Sequence, residues 1–377
     1  MLARRLKRLG YERVDSAEDG VECLAAVRAR ALAGDPYDVV LLDVMMPRVS
    51  GVEALETMVA EGRLEETAVI MISAATEIET VVRCIELGAE DYLPKPFNPT
   101  LLKARLGTVL EKKRLRDEVR RQLARIEAEL AEARRQQLAM LPDTFPDIDP
   151  AYPTCIHAVM TPARQVGGDL YDCFEAAPGV LCVAVGDVSD KGMPAALFMA
   201  RTRSLLRASA LQHVAATGAP PAPSALAAIV NEELCKNNPI CMFVTMMLGF
   251  YEVATGRLAF VNAGHVRPWL LSGEGAREIR ERPGPPLGVI SGARYRDYEL
   301  TLSAGEGLVM ITDGLPEMIA PDGAFYTLER IAQDLHALRA AAPQTITQTL
   351  LANVVAFAAG EPAADDVTVL ALRRGGA

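Results

Sequence analysis

The chain has 377 residues, of which half are apolar and 23% charged, with a net charge of −10. That length exceeds one ordinary compact core and makes two domains the natural prior, while the composition excludes a disordered chain. The acidic balance argues against a sequence-wide nucleic-acid partner, and no signal-peptide pattern or uncharged apolar run long enough for a bilayer stands out, so no membrane partner is expected.

Seven cysteines (Cys23, Cys84, Cys155, Cys173, Cys182, Cys235 and Cys241) are scattered without a CxxC pair. An odd count beside mostly apolar neighbours reads as reduced, largely buried thiols in a cytoplasmic protein. Four histidines argue against a histidine-rich zinc site.

Residues 1–106 alternate short β-branched runs with amphipathic stretches. Val39-Val40-Leu41-Leu42 ends at Asp43, Ala68-Val69-Ile70-Met71-Ile72 at Ser73, and Asp91-Tyr92-Leu93-Pro94 at Lys95. Helical patterns fall between them over 18–32, 51–61 and 77–87. Such alternation predicts a parallel sheet with helices on both faces and functional groups at the carboxyl ends of its strands.

Leu41-Leu42-Asp43-Val44-Met45-Met46-Pro47, Gly51, Ser73-Ala74 and Lys95-Pro96-Phe97 form an ordered set. An aspartate at a strand end can accept a phosphoryl group as a mixed anhydride, a hydroxyl can report the new charge, and an ammonium can offset it. Singly, a Lys-Pro turn or an Asp-capped loop needs no chemistry. Together the set resembles the response-regulator receiver domain, a doubly wound, flavodoxin-like α/β fold. The resemblance implies Asp43 as phosphoacceptor, Ser73 as switch hydroxyl, Tyr92 as switch aromatic, Lys95 as the cation and a histidine kinase upstream. Receivers open on a hydrophobic strand ending in an acidic pair that holds Mg²⁺. Here Met1-Leu2-Ala3-Arg4-Arg5-Leu6 reads as the middle of the first helix. The fold is therefore expected to lack its first strand, and Mg²⁺ is expected in the receiver only where that acidic pair is present. About twenty further residues upstream are expected in the natural protein.

Over 107–141 Arg, Lys and Glu dominate, without Pro or Gly between Thr108 and Leu141. Val119, Leu123, Ile126, Leu130 and Ala133 follow a heptad spacing, which predicts a coiled-coil linker and a homodimer. The plainer alternative is one solvated helix packed on a domain. Pro142 and Pro146 are expected to stop the helix.

The remaining span, 142–377, predicts strands at 180–185, 243–251, 258–262, 269–271 and 308–312, with helices near 193–212, 224–236, 327–340 and 344–358. This grouping predicts an α+β layered fold. Aspartates recur where a hydrophobic strand is expected to end in a turn, in Val166-Gly167-Gly168-Asp169, Val185-Gly186-Asp187-Val188-Ser189, Ile311-Thr312-Asp313-Gly314 and Ala364-Asp365-Asp366-Val367-Thr368. A rigid sheet can gather such carboxylates, and gathered carboxylates repel unless hard divalent cations sit among them. Two such ions supply a water nucleophile and clamp a phosphoryl group, so the reading is a metal-dependent phosphatase.

Those segments, with Arg134–Pro142, Lys191-Gly192, Met242-Phe243-Val244-Thr245, Asn262-Ala263-Gly264-His265, Pro286-Leu287-Gly288 and Gly314-Leu315-Pro316-Glu317, resemble the bacterial metal-dependent serine phosphatases of the PPM class. These are relatives of protein phosphatase 2C typified by the sporulation stage II protein E, and the likeness covers 134–373. It implies a layered β-sandwich holding two Mn²⁺ or Mg²⁺ ions. The ligands would be Asp169, Asp187, Asp313, one of Asp365 and Asp366, and the main-chain carbonyl of Val188, with Asp187 bridging. The glycines before Asp169 and Asp187 are expected to let the backbone bend tightly. The implied reaction is attack by metal-activated water on a phosphoserine or phosphothreonine, without a covalent intermediate.

Arg164 is the nearest candidate to bind substrate phosphate. Lys191 stands where relatives often carry histidine, and Tyr326 where a glycine is expected after Phe325. Asn262–His265 reads as a hairpin turn joining two strands, with no catalytic work for His265. The implied substrate is a phosphorylated anti-sigma-factor antagonist. Rival readings are a non-catalytic docking module and a phosphatase uncoupled from its receiver.

Overall fold

The computed structural model describes residues 2–74, 78–96, 98–146 and 153–375. They form two compact units, Met1–Glu127 and Ala128–Ala377. Phe97 of the receiver set lies outside the described residues.

In the first unit, helices α1 (Leu2–Arg8), α2 (Gly20–Leu32), α3 (Gly51–Ala60), α4 (Ile78–Glu86) and the first part of α5 (Pro99–Leu138) accompany three strands, β1 (Val39–Asp43), β2 (Ala68–Ala74) and β3 (Asp91–Lys95). The strands pair in parallel in the order β1-β2-β3, within a residue or two of expectation. β2 reads as an unbroken apolar run because both its faces are covered. Val69 and Met71 pack with Leu24, Leu55 and Met58 of α2 and α3, while Ala68, Ile70 and Ile72 pack with Leu102, Leu106 and Val109 of α5. A capping box between Ser50 and Glu53 starts α3. Among the described residues β1 pairs only with β2. A cavity of about 960 Å³ runs along its other edge, lined among others by Leu6, Tyr11, Val14, Val39 and Leu41.

α5 is one continuous helix of 40 residues that runs through the expected 106/107 domain boundary; its start is buried against β2 and its later turns carry the residues at heptad spacing. No Pro or Gly competes with helix after Gly107, so nothing local interrupts it. Val119, Leu123 and Ile126 are more than half exposed. The helix ends at Leu138, four residues before Pro142. There the Gln137 side chain is held by Gly167, accepting from its N–H at 3.0 Å and donating to its carbonyl at 2.5 Å.

The second unit contains two five-stranded antiparallel sheets. One orders β11 (Tyr298–Thr301), β8 (Arg257–Ala263), β7 (Val244–Glu252), β6 (Val180–Val188) and β5 (Leu170–Ala177). The other orders β10 (Gly275–Glu278), β9 (Trp269–Ser272), β12 (Gly307–Ile311), β13 (Val367–Arg374) and β4 (Thr154–Thr161). Helices α6 (Met193–Thr217) and α7 (Pro223–Cys235) contact the first sheet, and α8 (Thr327–Ala337) and α9 (Pro343–Ala358) the second. Period-two alternation divides the cores. Leu308, Met310, Leu370 and Leu372 face the first sheet's core, whereas Val309, Ile311, Val367 and Val369 pack with α8 and α9. The result is the layered α+β sandwich expected.

Two expectations are corrected. Asn262–His265 does not join paired strands: β8 and β9 lie in different sheets, so the turn is a crossover. The Asn262 side chain closes it, bonding both the N–H and the carbonyl of His265. The thiols are not largely buried either, since only Cys84, Cys173 and Cys182 are, while Cys155 and Cys241 are exposed. Among the described residues no helix is long and apolar enough to cross a membrane.

Candidate active site

Antiparallel pairing sets the start of one strand beside the end of its neighbour. Leu170 pairs with Gly186, which brings Asp169, just before β5, next to Asp187 near the end of β6. Ile311 pairs with Val369, which brings Asp313, just after β12, to the edge where Asp365 and Asp366 precede β13. Asp169 and the Asp365-Asp366 pair therefore open strands rather than end them, a correction that follows from the antiparallel topology.

Asp169 ties the two sheets together. Its Oδ2 accepts from Thr312 Oγ1 at 2.8 Å and from Thr368 Oγ1 at 2.6 Å, and the Thr368 N–H donates to Thr312 Oγ1 at 2.9 Å. Both threonines are fully buried. Sequence reading did not assign them a role, although each neighbours a singled-out aspartate. The other oxygen, Asp169 Oδ1, is buried with no hydrogen-bond partner among the described residues. A buried acceptor held in place by its twin and lacking a donor is a group arranged for a cation.

Electrostatics agree. Burial, then the nearby Asp313 and Asp365, pushes the Asp187 carboxyl up to about 8. Burial and Asp187 push Asp169 up, and burial, Glu317 and Asp365 push Asp313 up. The carboxylates thus face one another in a low-dielectric pocket without enough positive charge. Among the described residues no three of them already close around one point as a finished ligand set. The all-oxygen donor set suits hard divalent ions. The Val188 carbonyl lies beside this group, 2.9 Å from where a Cβ on Gly168 would stand.

Asp365 and Asp366 have different surroundings. Asp366 Oδ1 accepts from Ala163 N at 2.7 Å, and its Oδ2 accepts from Gly168 N at 2.6 Å and Asp169 N at 3.4 Å. Both its oxygens are engaged in holding the 163–169 loop. Asp365 faces Lys191, whose ammonium sits 2.8 Å from its Oδ2. None of Gly167, Gly168 and Gly186 adopts a left-handed backbone. Gly167 is required by space, since a Cβ there would stand 2.3 Å from Asp366 Oδ2.

Arg164 is exposed on the loop after Ala163. His265 is buried against Thr245 Oγ1, 2.9 Å from its Nδ1, and burial drives its imidazole down to about 4, so it stays neutral. Tyr326 is buried against Phe357, and the left-handed backbone falls at Thr327, φ 67°.

Metal and protons compete for raised carboxylates, which fixes a pH dependence. The elevated Asp187 stabilises the metal-free fold below the ordinary carboxylate value of 3.8, and that contribution is lost as pH rises toward about 8. Metal-free protein is therefore expected to melt lower at pH 8 than at pH 6, and Mn²⁺ to restore more at pH 8. Calorimetric melting with and without EDTA checks this.

In the first unit, Asp43, Ser73 and Lys95 meet at the carboxyl ends of three adjacent strands, with Asp43 opposite Ile72 and Ala74 opposite Lys95. The Lys95 ammonium bonds Asp43 Oδ2, and Met45 N donates to Asp43 Oδ1 at 3.2 Å. Ser73 is buried in β2. Gly51 permits this approach: a Cβ there would stand 2.0 Å from the Asp43 carbonyl. Tyr92 is 38% exposed, with the Arg105 guanidinium 5.9 Å from its ring centre.

Comparison with known proteins assigns both halves. The family described as Stage II sporulation protein E matches residues 177–375, and the response regulator receiver domain matches residues 1–107. Protein IcfG of Synechocystis sp. is 29% identical over 266 residues, 65% of this chain and 41% of that protein. Response regulator MprA of Mycobacterium ulcerans is 36% identical over 117 residues, 31% of this chain and 47% of that one. The chain thus spans less than half the length of these curated relatives. Among solved structures, the SiaA-PP2C domain of Pseudomonas aeruginosa has a TM-score of 0.57 at 22% identity, covering 67% of this chain and 98% of that one. The PP2C phosphatase domain of SpoIIE from Bacillus subtilis, with a fragment of its regulatory domain, has a TM-score of 0.50 at 20% identity, covering 59% of this chain and 63% of that one. At those identities the likeness is one of fold. The sequence matches carry the assignment: this chain belongs to the Stage II sporulation protein E family of PP2C-type phosphatases, with a response-regulator receiver domain at its amino-terminal end.

Proposed function

We propose that the second unit is a divalent-metal-dependent protein serine/threonine phosphatase working on a phosphorylated regulatory protein. The observation that carries this is the Asp169 carboxylate, anchored through one oxygen by Thr312 and Thr368 with the other buried and unpartnered beside Asp187. Asp169, Asp187, Asp313, Asp365 and the Val188 carbonyl would hold two Mn²⁺ or Mg²⁺ ions, with Asp187 between them. Bound there, such ions supply a nucleophilic water at neutral pH and neutralise phosphoryl oxygens. The rest is done by the chain itself: the threonine pair orients Asp169, Asp366 fixes the 163–169 loop, and Arg164, exposed on that loop, would meet a substrate phosphate. Asp365 is favoured over Asp366 as ligand because both Asp366 oxygens already serve backbone N–H groups. A phosphorylated anti-sigma-factor antagonist is the substrate the family reading favours.

The receiver would tune this activity through phosphorylation of Asp43 by a histidine kinase. α5 runs unbroken from the receiver core to Leu138, and a second copy packed on Val119, Leu123 and Ile126 would make a cytoplasmic homodimer sensitive to receiver state. One observation favours a second reading, a phosphatase uncoupled from receiver control. The receiver sheet has three strands among the described residues, and Lys95 is the cation seen on Asp43. Hydrolysis of p-nitrophenyl phosphate with and without Mn²⁺ tests the enzyme, and absence of Mn²⁺-dependent turnover would refute it. Acetyl phosphate tests the coupling: a rate change in wild type but not in Asp43→Ala supports control, and equal rates favour the uncoupled reading.

A further inference from the structure

Lys191 closes the gap between the carboxylates of the two sheets. It sits between two left-handed residues, Asp190 at φ 75° and Gly192 at φ 77°, directly after β6. Its own N–H is fixed by Asp190 Oδ1 at 2.9 Å. The turn delivers the ammonium across to the segment before β13, where it bonds the Ala364 carbonyl and Asp365 Oδ2. Among the described residues Lys191 is the side-chain cation bonded to any of Asp169, Asp187, Asp313 and Asp365. The pair is partly open to solvent, with lysine 34% and aspartate 29% exposed, so water weakens it and it can be displaced.

We propose that Lys191 is a built-in competitor for the divalent ion that would use Asp365: its ammonium holds that carboxylate when no divalent ion does and must leave before one can take it. The inference rests on the metal-phosphatase reading. A divalent ion on Asp365 would repel a neighbouring ammonium, so the same oxygen cannot serve both. The lysine keeps the acidic pocket partly neutralised without metal and raises the metal concentration at which the enzyme becomes active. Once displaced, the ammonium remains on a loop beside the pocket.

The test is Mn²⁺ titration calorimetry on the full chain for wild type, Lys191→Met, Lys191→Gln and Lys191→Arg, with melting curves confirming that each folds. Removing the charge is expected to tighten the weakest Mn²⁺ step roughly three- to fivefold, the upper scale of a partly exposed ion pair. Arginine, which keeps the charge, is expected to stay near wild type. If wild type binds Mn²⁺ but Met and Gln leave every step within about twofold, or weaken it, the competitor role is wrong and the phosphatase reading stands. If wild type binds no Mn²⁺, both fall.

Discussion

Replacing Asp187 by Asn is expected to abolish Mn²⁺-dependent hydrolysis while making the metal-free protein more stable. The two effects share one cause. Asp187 neighbours Asp169 of its own sheet and Asp313 and Asp365 of the other, so on the metal-phosphatase reading it is the carboxylate that would serve both ions. Losing that carboxylate removes charge from both cation positions, and a fall in kcat/KM on the order of a thousandfold or more is expected. In the metal-free fold the same carboxylate is a liability, buried among like charges. A neutral isostere relieves this, and a gain of about 1–3 kcal/mol at pH 8 in EDTA is expected. Steady-state kinetics and calorimetric melting read the two effects separately. A variant that loses activity through unfolding would melt lower, and that would contradict the account.

Asp366→Ala is expected to do the reverse of its neighbour. Asp365→Asn should weaken metal binding in a domain that still folds, because Asp365 is partly exposed and, among the described residues, paired with Lys191 and its own segment alone. Asp366 is 5% exposed and accepts the N–H groups of Ala163, Gly168 and Asp169. Truncation strands those donors in a dry pocket, and about 3–5 kcal/mol of stability should go with them. For a domain of this size that is a fall of roughly 10 °C in Tm, measured in EDTA so that metal does not mask it. Equal melting temperatures for the two variants would show that the neighbours share one role.

Much of the acidic centre was legible because its signals are local. Each aspartate sits where an apolar run meets a turn, and such turns can be read from a few residues. What joins them is not local. Thr312 and Thr368 orient Asp169 only because β12 and β13 pair in one register while β5 belongs to the facing sheet. The choice between Asp365 and Asp366 likewise needed the position of the 163–169 backbone, some two hundred residues away in sequence.

Other misses have similar causes. Asn262–His265 has the chemistry of a tight turn, but turn chemistry does not say which sheet the next strand joins. β5 escaped detection as a strand partly because Asp172 sits fully buried within it. That charge is tolerated because Arg203 and Arg207 of α6 reach it, a pairing invisible along the chain. α5 runs through the boundary expected after residue 106 because composition changes there but helix propensity does not.

Oxygens from both sheets should converge on a pair of hard cations, and diffraction at the manganese absorption edge from crystals soaked in MnCl₂ would locate them. Two anomalous peaks are expected among Asp169, Asp187, Asp313 and Asp365, with Asp187 touching both and Lys191 swung off Asp365. Density absent from that group, or manganese bound instead at Asp366 or elsewhere, would contradict the account.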